Sequence, residues 1–373
     1  LTFDSDKIFL DFFSQHMGLT IGQAMAQNFA ISNPFFQDTK LLIGQTTIID
    51  PNTFFQLLDV KKSTVDSIVE SLVINFSEVK DKILKELTSI NFDITPIGYN
   101  LDVFRKKPLI RLNNGKILCA NLSCLLEKTT QNLIWLPISQ IKSLGGTKVS
   151  KLINDLTNYR GRLFEEYVKD LCAKLASMNP KMLFDYIPAE STVDHEEVGD
   201  SILMQGNSIL ILEAKSRQFK EAFKYTGDWN KDKDFELLIK KSAKQIETAS
   251  QKIRNGEIDK FHLKSKDIKR IYPVILTYES IPMHSKVQSF IRNKVQESSY
   301  LTDPIFAPLE IININDLEQI MDCADSLTLI DLLEEKNGSD PHASDTNFRN
   351  FFATLINSRE IKSTGWQKKQ WEK

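Results

Sequence analysis

The clearest pattern of apolar and polar positions surrounds a short turn in the second half of the chain. Residues 202–204 read Ile-Leu-Met, residues 209–212 read Ile-Leu-Ile-Leu, and a Gly-Asn pair at 206–207 lies between the two runs. Two short apolar runs around such a pair predict a β-hairpin with a two-residue turn. Because both runs are apolar at every position, the strands are expected to be covered on both faces.

The predicted hairpin brings charged residues to one end of the strand pair. Counting outward from the turn sets Asp200 directly opposite Glu213. Since side chains alternate between the faces of a strand, we expect Glu213 and Lys215 on one face and Ala214 on the other. A surface hairpin whose charges simply face water is the alternative interpretation. The apolar residues on both faces disfavour it, because charges placed beside a buried strand pair cost free energy unless they are paired or bind a metal.

The segments on either side of the hairpin are predicted to form alternating helices and strands. Residues 158–178 are predicted to form a helix with an apolar stripe of Leu163, Phe164, Tyr167, Val168, Leu171 and Leu175. The further expected elements are a helix at 240–253, a strand at 271–277, a helix at 285–296, a strand at 309–314, a helix from residue 316, and closing helices at 325–335 and 347–357. Such alternation is typical of an α/β fold with a mixed sheet flanked by helices.

The first part of the chain has a different pattern. Here we expect helices at 6–17 and 21–30, one helix or two over 63–87, and a hairpin at 108–120. No catalytic constellation falls in this region, which is interpreted as a module for recognition, for a protein partner or for self-association. With a linker at 142–149, the predicted organisation is an α-rich N-terminal domain at 1–150, a core domain at 151–314, and C-terminal helices and a tail at 315–373.

Composition narrows the class of protein without identifying it. The chain has 373 residues, 41% of them hydrophobic and 26% charged, with a net charge of -2, which is ordinary for a globular protein. Positive charge is concentrated between residues 215 and 270, a stretch that contains sixteen Lys or Arg and nine Asp or Glu. Such a stretch attracts phosphate backbones, and the candidates are Lys241, Lys244 and Arg254. A solvated helical face is the alternative for any single lysine.

Several classes of function are disfavoured by what the sequence lacks. The four cysteines are scattered without CxxC spacing, which predicts free thiols in a reducing compartment, the cytoplasm. No apolar run or leader suggests membrane association. The sequence has no HExxH, no GxxxxGK[ST] and no GxGxxG, so a zinc hydrolase and a nucleotide-dependent enzyme are not indicated. His195 could approach a metal or leaving group, against the simpler interpretation of a loop histidine.

The charged residues of the hairpin fit a divalent-metal phosphodiesterase. Mg²⁺ prefers oxygen ligands in an octahedral array, commonly one or two carboxylates together with waters and substrate phosphate oxygens. Asp200, Glu213 and the carbonyl of Ala214 are the candidate ligands, and Mn²⁺ is expected to substitute. Lys215 could orient or deprotonate the attacking water, or offset charge on phosphorus.

The order of Gly-x-x-Phe-Glu on a predicted helix, then Asp, then Glu-x-Lys on successive strands, resembles the PD-(D/E)XK nuclease superfamily over residues 156–314. The resemblance implies a restriction-endonuclease-like fold in which the catalytic residues are Glu165 on the helix, Asp200 in the second motif, Glu213 and Lys215 in the third, and Gln245 on the next helix. Glu166 competes with Glu165, and Gln251 with Gln245. Gly199 stands where members of the family commonly have proline.

The resemblance implies a Mg²⁺-dependent nuclease, with DNA favoured over RNA as the substrate and an endonuclease as the type of activity. Prokaryotic defence and DNA repair are the roles that such proteins often serve. The alternative is a non-catalytic nucleic-acid-binding or assembly subunit that keeps the fold. The intact set of Glu165, Asp200, Glu213 and Lys215 favours activity.

Overall fold

The structure is a computed structural model. It describes residues 48–51, 69–89, 107–122, 147–186, 199–217, 233–257, 267–279, 285–338, 347–359, 364–366 and a few single positions between them. The described residues up to Thr157 form one compact unit, and those from Asn158 onward form a second. The predicted helices at 6–17 and 21–30 and the residue His195 lie outside the described ranges, apart from a few single helical positions.

The first unit contains a small mixed sheet with the strand order β1-β4-β3-β2. Its elements are β1 (Ile48–Ile49), β2 (Val73–Asn75), α1 (Phe76–Ser89), β3 (Leu109–Arg111) and β4 (Ile117–Cys119). The predicted hairpin at 108–120 is confirmed, because β3 and β4 pair antiparallel. The prediction that residues 63–87 are entirely helical is partly wrong, because β2 interrupts this segment and pairs parallel to β3.

The second unit is an α/β domain built on one five-stranded mixed sheet of order β5-β6-β7-β8-β9. Its strands are β5 (Leu183–Asp185), β6 (Ser201–Gln205), β7 (Ser208–Lys215), β8 (Arg270–Thr277) and β9 (Glu310–Asn313). Its helices are α2 (Thr147–Met178), which begins before the boundary between the units, α3 (Lys233–Arg254), α4 (Ser285–Ser298), α5 (Ile314–Met321), α6 (Leu329–Gly338) and α7 (Phe348–Arg359). The first three strands pair antiparallel, and β7, β8 and β9 run parallel.

The hairpin has the predicted register. Met204 pairs with Ile209 and Gln205 with Ser208, around Gly206 at a φ of 59°. Positive φ is the conformation that a two-residue hairpin turn requires, and glycine adopts it without a steric penalty.

Both faces of the sheet are buried, as the apolar pattern predicted. On one face Leu210 and Leu212 pack with α5, α6 and α7 and with Phe164, Val168, Leu171 and Leu175 of α2. Leu163 and Tyr167, which were predicted to belong to the same stripe, are instead exposed. On the other face Ile209 and Ile211 pack with α3 and α4. Even-numbered side chains of β7 therefore meet one core and odd-numbered side chains the other, which places Glu213 and Lys215 on the side of α3 and α4.

Several element boundaries differ from the prediction. Residues 147–149 were assigned to a linker and instead begin α2, and β5 was not predicted. The helix expected at 325–335 begins four residues later, at Leu329, and extends three residues further, to Gly338. The C-terminal helices pack into the same core as the sheet through Phe348, Phe352 and Leu355.

Candidate active site

The charged residues of the hairpin meet at the edge of the sheet where β7 and β8 end. Lys215 is the last residue of β7 and pairs with Thr277, the last residue of β8. The β6–β7 ladder ends at the pair Ser201 and Leu212, one position before Asp200 and Glu213. Parallel strands bring their carboxyl ends to one edge, and the antiparallel β6 brings Asp200 to the same edge.

Glu213 is the most strongly perturbed group at this edge. Its side chain is 2% exposed, and its Oε2 has no hydrogen-bond partner among the described residues. Burial is the largest cause that raises the pKa of Glu213, and the nearby charge of Asp200 raises it further, to about 8. The Lys215 ammonium lowers it, which offsets only part of the rise.

Asp200 is held by the backbone of the neighbouring strand. Its N–H donates to the carbonyl of Leu212 at 2.9 Å, and its Oδ2 accepts a hydrogen bond from the N–H of Ala214 at 2.7 Å. The Ala214 side chain is buried in the core on the opposite face from Glu213. These bonds fix the Asp200 carboxylate beside the third-motif acid, as the predicted register requires.

Lys215 joins the hairpin to helix α3. Its ammonium donates to Oε1 of Glu213 and to Oε1 of Gln245 at 3.1 Å. Gln245 is 6% exposed and lies on the buried face of α3. The competing residue Gln251 is exposed, and its amide donates to Glu247 at 3.3 Å. Of the two glutamines, Gln245 is therefore the one that contacts the hairpin.

The two neighbouring glutamates of α2 are in different environments. Glu165 is half-buried, and its charge contributes to the raised pKa of Glu213, so it lies within electrostatic range of the carboxylates. The side chain of Glu166 is 71% exposed and bonds Lys169 at 2.9 Å, one turn along the same helix. Of these two glutamates, Glu165 is therefore the one whose charge acts on Glu213.

Arg160 is a residue of this region that the sequence reasoning missed. It is 6% exposed, and its guanidinium lies 4.5 Å from the centroid of the Tyr278 ring. The N–H of Tyr278 donates to the carbonyl of Lys215 at 3.1 Å, which ties this stack to the end of β7. A signal was available: Arg160 stands four residues before Phe164 and four after Leu156, on the stripe of α2 that faces the core.

The candidate phosphate-binding residues are not equivalent. Lys241 and Lys244 are exposed on α3. Arg254, in contrast, pairs with Asp303 at 2.9 Å, with 31% of its side chain exposed. Binding of a phosphate by Arg254 would therefore compete with an existing ion pair.

The donor chemistry of the site suits a hard divalent cation. The charge of Asp200 raises the pKa of Glu213, and one buried oxygen of the Glu213 carboxylate lacks a hydrogen bond within the described residues. A cation with oxygen ligands would relieve both costs. In the part of the chain that the structure describes, no group of three or more His, Cys, Asp or Glu is arranged to hold a metal by itself. Backbone carbonyl or water ligands would have to complete the set.

Comparison with known proteins found no matching family model, no similar curated protein and no similar solved structure. None of the helices within the described ranges is long and apolar enough to cross a membrane. The function of the protein is therefore inferred from the geometry of the site.

Proposed function

We propose that the protein is a Mg²⁺-dependent nuclease with a restriction-endonuclease-like core, acting as an endonuclease on DNA. The observation that carries the proposal is the convergence of Asp200, Glu213, Lys215 and Gln245 at one edge of the sheet, with Glu165 within electrostatic range. These residues come from α2, the β6–β7 hairpin and α3, and a surface hairpin with solvated charges would not bring them together.

The order of elements supports the same proposal. Helix α2 precedes three antiparallel strands, helix α3 follows them, and β8 then adds parallel to β7. The arrangement that supports the proposal is a carboxylate on the first helix, two acids and a lysine on the hairpin, and a glutamine on the next helix.

Asp200 and Glu213 would hold the cation, together with the backbone carbonyl of Ala214. Bound there, a divalent ion supplies Lewis-acid polarisation of a phosphoryl oxygen and lowers the pKa of a coordinated water. The protein's part is to keep both carboxylates in place, which the Ala214 N–H does for Asp200. The Glu213 side chain is buried, and electrostatic interactions are stronger in a low-dielectric environment than in water.

Lys215 has the geometry of a group that orients water and offsets charge. Its ammonium is held by Glu213 and Gln245, so its position is fixed before substrate binds. Negative charge increases on the phosphoryl oxygens as water attacks phosphorus and the P–O bond breaks. A positioned ammonium stabilises that charge without reorganisation.

The proposal is tested by incubating the purified protein with plasmid DNA, linear DNA and RNA in Mg²⁺, Mn²⁺, Ca²⁺ or EDTA. We expect cleavage of DNA in Mg²⁺ and Mn²⁺ only, because Ca²⁺ adopts looser coordination and holds water and phosphate less well. Undiminished cleavage in EDTA would contradict metal dependence. Binding of DNA without cleavage in any metal would favour a non-catalytic subunit that keeps the fold.

A further inference from the structure

A cavity of about 180 Å³ lies at the same edge of the sheet as the candidate active site. Thr277 of β8 and Asn313 of β9 line it, and these two residues pair with each other. Thr277 also pairs with Lys215 of β7, so Lys215, Thr277 and Asn313 form one row across three parallel strands. Since neighbouring strands are about 4.8 Å apart, the cavity begins about one strand spacing from Lys215, at Thr277, and extends to about two spacings, at Asn313, on the same face.

The wall of the cavity combines an apolar side with groups that can donate and accept hydrogen bonds. Ile281 and Ile311 form the apolar part. Arg349 and Asn350, in the first turn of α7, supply donors and an amide. The side chain of Arg349 is 58% exposed, so it is available to a ligand that enters from solvent.

Asp316 gives this wall a buried acceptor. The residue is 5% exposed and lines the cavity. Its Oδ2 accepts from the N–H of Asn313 at 3.4 Å, whereas its Oδ1 has no hydrogen-bond partner among the described residues. The Nε of Arg349 lies 3.7 Å from that oxygen, beyond hydrogen-bond distance. A buried acceptor without a donor costs free energy that a ligand N–H could recover.

These groups discriminate between classes of ligand. A phosphate in the cavity would meet the Asp316 carboxylate, and like charges repel. A metal ion would find a single carboxylate with the Arg349 guanidinium beside it, which disfavours a second cation. A neutral, flat ring with N–H donors and lone-pair acceptors matches both the apolar side and the polar side.

We propose that this cavity binds one unstacked nucleobase of the substrate strand, close to the phosphate that is cleaved. The inference rests on the proposed nuclease function and adds a subsite to it. Stacked bases are about 3.4 Å apart along one strand, so one to two strand spacings of about 4.8 Å correspond to about one to three nucleotides. A base inside a duplex would have to leave the stack to enter, so substrates with unpaired bases should bind better than continuous duplex.

The experiment is an abasic scan with short single-stranded DNA, using fluorescence anisotropy in Ca²⁺ to prevent cleavage. One base at a time is removed from the oligonucleotide. For the wild type we expect about a tenfold loss of affinity when the missing base is the one that enters the cavity, the size expected for the contacts of one base. Removal of the other bases should matter less.

Two cavity variants and two matched controls complete the design. Arg349→Gln and Asn350→Ala should abolish the dependence on that one base. Arg359→Gln and Asn357→Ala should retain it, because these residues lie at the other end of α7 and do not line the cavity. Arg349 lies beside the buried carboxylate of Asp316 and Arg359 pairs with the partly exposed Glu335, and each substitution removes one positive charge. Melting curves check that each variant is folded.

Each outcome decides the question. A wild type that binds and cleaves DNA but loses no affinity at any abasic position would overturn the base pocket and leave the nuclease proposal standing. Variants that weaken binding equally with and without the base would place the sugar-phosphate backbone at the cavity and also overturn it. A wild type that neither binds nor cleaves nucleic acid would remove the proposed function and the subsite together.

Discussion

At the scale of single residues, Lys215 is the side chain whose position argues most directly for chemistry. An exposed lysine gains little from a fixed ion pair, but this ammonium donates to two acceptors, Glu213 and Gln245, that are both almost fully buried. The hydrogen bonds restrict its rotamers and hold its charge beside two carboxylates. We propose that this positioned charge stabilises the transition state.

Lys215→Ala should therefore lower the rate of the chemical step by about 10²-fold or more, with binding little changed. The controls are Lys241→Ala and Lys244→Ala on the exposed face of α3. These should weaken binding for all sequences and reduce the salt dependence by about one unit of slope per lost phosphate contact. Single-turnover cleavage and binding isotherms separate the two effects. If all three variants behave alike, Lys215 is only another phosphate contact.

The pair Glu165 and Glu166 offers a second comparison of neighbours. Glu165→Gln removes a charge that acts on Glu213 and should reduce cleavage or shift the preference between Mg²⁺ and Mn²⁺. Glu166→Gln breaks only an exposed pair with Lys169 and should be nearly silent. Cleavage rates over a metal titration measure both. The motif would have to be moved by one residue if Glu166→Gln were the damaging change.

The register of the β6–β7 hairpin was predicted correctly from the sequence. A contact that depends on tertiary packing, the stack of Arg160 on Tyr278, was not predicted. Asp200, Glu213 and Lys215 follow from a turn and a two-residue period, which are local rules. The stack of Arg160 on Tyr278 joins residues that are far apart in sequence. Its sequence signal, a charged residue on an apolar stripe, says that a partner exists but not which one.

At the scale of elements, the start of β6 determines where Asp200 lies. A Cβ added to Gly199 would come within 2.7 Å of the Cγ2 of Ile211 and 3.5 Å of the Leu212 carbonyl oxygen. Both neighbours belong to β7, so the chain that leads into β6 lies close against β7 beside the site. A side chain at this position would push Asp200 away from the Ala214 N–H.

Gly199→Ala should cost about 1–3 kcal/mol of stability through overpacking and should also reduce cleavage. Gly161→Ala is the control, because its added Cβ would lie 3.7 Å from the nearest atom, Oγ of Ser216, which is ordinary contact. Removing a glycine from the interior of a helix should stabilise α2 by about 0.5–1 kcal/mol. Thermal unfolding and cleavage rates are measured for both variants. A harmless Gly199→Ala would mean that β6 and β7 are not closely fitted there.

The long elements were predicted from the sequence, whereas the short strands β1, β2 and β5 were not. The helices at α2 and α3 and the strands at β7 and β8 have enough residues for their period to be recognised. Strand β5 has three residues and β2 has three, and β2 lies in a segment whose apolar positions also fit a helix. Pairing with β6 and with β3 makes them strands, and that information is not local.

At the scale of the whole molecule, the raised pKa of Glu213 makes the free energy of unfolding depend on pH. The unfolded chain loses the Glu213 proton near the ordinary value of 4.5, whereas the folded protein keeps it up to a pKa of about 8. Between these values the folded state binds more protons than the unfolded state, so metal-free stability falls as pH rises. The total is on the order of a few kcal/mol.

Glu213→Gln should flatten this part of the pH profile, because an amide does not titrate in that range. Melting temperatures of the metal-free wild type should fall between pH 5 and pH 8 by more than those of the variant. Adding Mg²⁺ at pH 8 should restore the wild type, since a ligand that binds the folded state stabilises it, and should leave the variant unchanged. Parallel profiles for the two proteins would show that the buried carboxyl is not the group responsible.

The central claim is that Asp200 and Glu213 form a metal-dependent centre for phosphodiester cleavage. Single-turnover cleavage of labelled plasmid DNA in Mg²⁺, by the wild type and by Asp200→Ala and Glu213→Ala, tests it most directly. We predict that the wild type cleaves, that each variant loses detectable cleavage, and that both variants stay folded, because removal of one of two repelling carboxylates relieves their repulsion. Cleavage at the wild-type rate by either folded variant would contradict the account.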